Sequence, residues 1–141
     1  MRHIMTRAPS RPALGVLALL GAVNLVRGGI HLFAPDGGLT AIAGLDLSSG
    51  REIVLFFIGA VGIGQIALGA VDLLVVGRYR DMALPLLLVH TGELALGLFL
   101  FLFWRPLPVA VPGQYGAVFS FALVGVITAR ELLRGRSNDA N

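Results

Sequence analysis

The most constraining feature of the chain is an apolar run from Ala13 to Ala34 that carries Asn24, Arg27 and His31 in its second half. A helix of about 22 such residues, at ~1.5 Å per residue, crosses a bilayer. At about 100° per residue the three polar side chains and Gly28 fall on one arc. Such a stripe is expensive against lipid, so it is expected to face protein or water held within protein. The rest of the chain is then read as whatever encloses the stripe.

Three further apolar runs follow. The expected spans are 13–34, 52–76, 82–104 and 114–133, within a single transmembrane domain over 13–134. Pro35, Asp36, Gly37 and Gly38 end the first span. The loop to Gly50 is semi-apolar, with the character of a short interfacial helix, and Ser48 or Ser49 is the expected cap of span two. Ala41-Ile42-Ala43 resembles a signal-peptidase site, but the run before it is too long and too polar for a signal peptide, so span one is expected to be retained. Span two is rich in glycine. Gly62, Gln65, Gly69 and Asp72 share one arc, and Gly62 and Gly69 are expected to meet a neighbouring helix while Gly64 points elsewhere. The turn 77–81 is basic, and span three ends at Trp104 and Arg105, as at a membrane interface. Span four has small residues four apart and no charge in its middle, which reads as a packing helix. Residues 1–12 read as a disordered basic arm and 135–141 as a polar tail.

Composition agrees. Of 141 residues, 56% are hydrophobic and 13% charged, well below the ~25% charged of soluble domains. All eleven basic residues are arginine. All but Arg27 lie at or beyond span ends, and no basic patch is interleaved with aromatics, so no nucleic-acid partner is expected. The chain has no cysteine, which rules out disulfides and thiolate chemistry. Arg2, Arg7, Arg11, Arg78, Arg80, Arg130, Arg134 and Arg136 fall on one side of the expected membrane, against Arg51 and Arg105 on the other. The positive-inside rule then puts both termini in the cytoplasm. The fold class is all-α, an integral membrane four-helix bundle with both termini cytoplasmic, and the location a bacterial cytoplasmic (inner) membrane.

With that orientation Asn24, Arg27, Gln65 and Glu93 come within about 6 Å of the midplane in height. His90 is slightly lower, His31 lies in the outward half and Asp72 in the inward half. The candidate ligand-binding residues are therefore Asn24, Arg27, His31, Gln65 and Asp72. Glu93 and His90 are the candidates for acid–base catalysis, because His titrates near neutral pH and a carboxylate one turn away can exchange protons with it. Each has a plainer reading. Arg27 and Glu93 form a buried ion pair between spans one and three, Asp72 pairs with Arg78 or Arg80, and Gln65 bridges helices. Three histidines and an ordinary i, i+3 His/Glu pair do not make a metal site, and no nucleotide-binding loop or nucleophile motif is present, so no metal or cofactor is expected.

The four-span layout, a first span ending at Pro35, and an Arg51-Glu52 opening to the glycine-rich REIVLFFIGAVGIGQIALG together resemble the DoxX-like group of small four-helix bacterial membrane proteins. The resemblance covers nearly the whole chain and implies architecture rather than an activity. The distantly similar sterol-isomerase-like membrane bundles act on apolar substrates through intramembrane acidic residues and His. Glu93 and His90 are the analogues here. The expected function is an intramembrane polar pocket that binds, or binds and transforms, a lipid-soluble small molecule. The alternatives are an accessory or assembly subunit of a larger membrane complex, and a small proton-coupled transporter. Expected partners are membrane lipids, a lipid-soluble ligand, and a membrane-protein partner or second copy of the chain.

Overall fold

The computed structural model describes residues 8–106 and 110–138. It is all-α. The helices are α1 (Arg11–Phe33), α2 (Arg51–Gly77), α3 (Ala83–Phe99) and α4 (Pro112–Asn138). A single 3₁₀ turn (Arg80–Met82) leads into α3 and a π-helical turn (Leu100–Trp104) leads out of it. All four helices, α3 taken with its two flanking turns, are long and apolar enough to cross a membrane, the pattern of a multi-pass membrane protein.

Three boundaries differ from the sequence reading. Arg11 and Pro12 already belong to α1, since proline fits the first turn of a helix, where its missing N–H has no partner to lose. The part of the basic arm before Ala8 lies outside the described residues. The helix α4 runs past the expected end of span four to Asn138, so the polar segment after Arg134 begins as helix. One glycine costs only ~1 kcal/mol in a helix, and arginines suit its C-terminal end. The loop after α1 is a series of hydrogen-bonded turns and contains no helix.

The chain forms two compact units, Leu19–Leu73 and the segments on either side of it, up to Ala18 and from Leu74. In the central unit, α1 and α2 make a hairpin closed by the 34–50 loop. Asp36 organises that loop. Its carboxylate accepts the backbone N–H groups of Ala41 (2.7 Å), Gly38 (2.9 Å) and Thr40 (3.2 Å). Gly37 and Gly38 take positive φ, which lets the turn bend back over Ile58 and Ile30. Arg51 donates to the carbonyl of Pro35 at 3.0 Å, and the His31 ring meets the carbonyl of Gly37 at 2.8 Å. Ser48 does not cap α2. Its hydroxyl and N–H are both held by Asp46.

The N–H groups of Ala41 and Gly38, followed by that of Thr40, hold the Asp36 carboxyl below its ordinary value, against a smaller opposing effect of burial. The folded loop is thus favoured at all pH above the ordinary carboxylate value. This contribution falls away as pH drops through the lowered one. Amide exchange at Gly38, Thr40 and Ala41 is expected to quicken over that acid window, relative to α2 amides. Asp36→Ala should bring the faster exchange to neutral pH.

In the flanking unit α3 packs on α4. Ala83, Leu87 and His90 are buried on α3, and Val124 and Thr128 on α4. The α1 N-terminus joins this unit. Ser10 Oγ lies 3.3 Å from the N–H of Ala13 as a helix cap, and the Ser10 N–H donates to Glu131 Oε2 of α4 at 3.1 Å. Arg134 donates to the same carboxylate at 3.0 Å. Beyond α3 the π-helical turn brings Phe99 within 6.1 Å of Phe103 and 6.2 Å of Trp104, ring centre to ring centre.

Candidate functional site

In the central unit the site begins with four glycines. Gly21 and Gly28 of α1 face Gly69 and Gly62 of α2. A methyl carbon placed on Gly28 would lie 2.6 Å from the carbonyl oxygen of Gly62, and one on Gly69 2.7 Å from that of Gly21. Nothing lies within 4 Å of one on Gly64. The two backbones thus touch, and only hydrogen fits between them.

This seam fixes where the polar residues go. On α1 it is made by Gly21, Leu25, Gly28 and Leu32, and on α2 by Gly62, Ile66, Gly69 and Leu73. At about 100° per residue, Asn24, His31 and Arg27 lie roughly 50–110° round from the seam on α1, and Gln65 and Asp72 lie about as far round on α2, in the same rotational sense. The two helices run antiparallel, so equal rotational sense places all five on one edge of the hairpin. The contacts give their order. Asp72 is level with Gly21, Asn24 with Gly69 and His31 with Gly62. The edge therefore spans about ten residues of α1, or ~15 Å.

Burial varies along it. Asp72 is fully buried. Asn24, Gln65 and His31 are half-buried, and Arg27 is exposed. Asp72 takes part in a polar interaction, and its Cβ lies 3.0 Å from where a Cβ on Gly21 would be. The buried Oε1 of Gln65 has no hydrogen-bond partner among the described residues. Arg27, which the sequence pairs with Glu93, enters no ion pair among the described residues. The His31 Nδ1, by donating to Gly37, would leave the Nε2 lone pair of a neutral ring available to accept or bind.

The catalytic candidates lie in the flanking unit. His90 is buried, and its Nδ1 is 3.4 Å from Oε2 of Glu93, whose side chain is exposed. Among the described residues no group of three or more His, Asp or Glu is placed to hold a metal ion.

Sequence reasoning missed a polar contact between α3 and α4. Thr91 Oγ1 of α3 and Thr128 Oγ1 of α4 are 3.0 Å apart, and Thr128 is buried. Thr91 Oγ1 also lies 2.7 Å from the Leu87 carbonyl and Thr128 Oγ1 2.8 Å from that of Val124. Two hydroxyls own two hydrogens, so one of these three contacts is always between lone pairs. The only signal in the sequence is a threonine one turn after a buried residue on each helix. Thr128→Val is expected to cost about 0.6 kcal/mol, and at most about 1.7, in detergent melting, the range for hydrogen bonds between helices in membranes.

No family model matches this chain, and neither does any curated protein or solved structure.

Proposed function

We propose that the chain binds a lipid-soluble small molecule through the polar edge of the α1–α2 hairpin, within a bacterial cytoplasmic membrane and with both termini inside. The observation that carries this reading is the gathering of Asn24, Arg27, His31, Gln65 and Asp72 on one edge of an otherwise apolar hairpin. Polar side chains in a span are costly, and a ligand is one return for that cost. Gln65 Oε1 offers a buried acceptor to a hydroxyl or amide of such a ligand. Arg27 suits a carbonyl, carboxylate or phosphate oxygen. His90 with Glu93 is the candidate pair for proton transfer. The four-span layout fits the DoxX-like architecture, and we extend the likeness no further than architecture.

The exposed guanidinium of Arg27 favours a second reading, an accessory subunit whose partner brings an acidic group into the membrane. Native mass spectrometry of the gently extracted protein separates the two. The first predicts an added mass of small-molecule size, and the second a protein partner lost in Arg27→Leu. A bare monomer with neither would sink both. A reporter fused after Asn141 or in the 77–81 turn should read as cytoplasmic and one in 36–50 as external. The reverse pattern would overturn the orientation.

A further inference from the structure

The outer face of α4 carries a second feature, independent of the polar edge. Val124 and Thr128 form the packed face of this helix. Val126, Ala129, Arg130 and Leu133 fall on the opposite side at about 100° per residue. There, together with Arg134, they line an open groove of about 560 Å³. Its floor is apolar and its end is cationic. Val126 and Leu133 are exposed along it, as is Arg130.

We propose that this groove holds an acidic phospholipid, with an acyl chain along Val126, Ala129 and Leu133 and the phosphate at Arg130. Three observations select that occupant. The groove opens on the face of α4 turned away from α3, where a membrane helix meets lipid. Its two arginines stand within the last five residues of the apolar segment Pro112–Arg134, the height at which long basic side chains reach headgroups. The one nearby carboxylate, Glu131, is already engaged by Arg134 at 3.0 Å and by the Ser10 N–H at 3.1 Å, so its charge is offset before a phosphate arrives. Arg130 enters no ion pair among the described residues, and its guanidinium can present two parallel donors to a phosphate.

The test is native mass spectrometry of the full chain in mild detergent, titrated with phosphatidylglycerol or with phosphatidylcholine of identical acyl chains. One phosphatidylglycerol should be retained in preference to phosphatidylcholine by about fivefold, the factor that a single basic side chain near an anionic lipid surface typically supplies. Arg130→Gln should bring the two lipids to parity. Arg105→Gln, outside the groove, should leave the preference intact. Ala129→Trp keeps the charge but fills the groove and should lose the lipid. As position 129 is exposed, this variant decides the matter if Arg130→Gln does not fold. Equal retention of both lipids by the unaltered protein would overturn the proposal. So would a preference that survives both substitutions, a dimer in place of bound lipid, or glycerophosphate competing as well as the intact lipid.

Discussion

Gly28→Leu should unfold the α1–α2 hairpin in detergent, or leave it too unstable to purify. Any side chain at this position begins 2.6 Å from the Gly62 carbonyl oxygen and 3.0 Å from the Ile66 nitrogen. Those are backbone atoms, and no rotamer change relieves them. Overpacking usually costs ~1–3 kcal/mol, with larger values where the backbone must move, and Gly28→Leu belongs at or beyond the upper end. Gly69→Leu and Gly62→Leu should follow, meeting the carbonyls of Gly21 and Gly28 at 2.7 and 2.8 Å. Gly64→Leu and Gly29→Leu are the controls, since open space surrounds both. Each should be neutral, or gain up to ~1 kcal/mol from better helix propensity. Thermal melting of the five variants checks this. Equal melting temperatures would mean that α1 and α2 do not meet through these glycines.

The second large effect is expected at Gln65. An unsatisfied buried acceptor costs ~1–3 kcal/mol. Replacing Gln65 by Leu removes that acceptor from an apolar setting, so the ligand-free variant should melt higher than the parent. If the polar edge binds a small molecule, the same substitution should lower its retention in native mass spectra at least about tenfold, the equivalent of ~1.4 kcal/mol and within the range of one lost hydrogen bond. A gain in stability with a loss of ligand is what separates a binding residue from a helix bridge. A bridging Gln65 would lose stability instead. Asp72→Leu should go the other way and destabilise the protein, because Asp72 is fully buried and takes part in a polar interaction, and leaving the other member of such a contact unsatisfied typically costs ~1–3 kcal/mol.

Much of this was legible in the sequence, for identifiable reasons. Pro35 and the glycines after it mark the end of α1 because they are strong breakers, whereas Gly135 is a weak one and α4 runs through it. The polar stripes on spans one and two are visible because helical angle follows from residue number alone. Their union on one edge is not, since it depends on which faces of α1 and α2 meet. Gly62 and Gly69 announce an interface on α2, and Gly28 stands out only through the polar arc it shares, but nothing in span one singles out Gly21 over Gly15 and Gly29, which lie in open space. Asp72 reads in sequence as a residue near the rim within reach of Arg78 or Arg80. It is instead fully buried, with its Cβ close against Gly21, where a side chain would crowd it. The Ser10–Glu131 contact is hidden for another reason. A short segment with Pro9 and Pro12 reads as a loose arm until a distant carboxylate is known to receive its N–H.

The π-helical turn at Leu100–Trp104 has a bearing on how the chain tolerates change in length. Such a turn holds one residue more than an ordinary helical turn, seen here as the Arg105 N–H bonding to the carbonyl of Leu100, five residues back. It behaves as an insertion that the helix has absorbed. A deletion there would rewind the end of α3 and turn Phe103 and Trp104 relative to Phe99. The faces upstream, which seat Leu87, His90 and Thr91, would keep their register. Gains and losses of single residues between homologous chains should therefore collect at this aromatic end. They should be rare between Ala83 and Phe99, where one residue more would swing His90 away from the buried side of its helix.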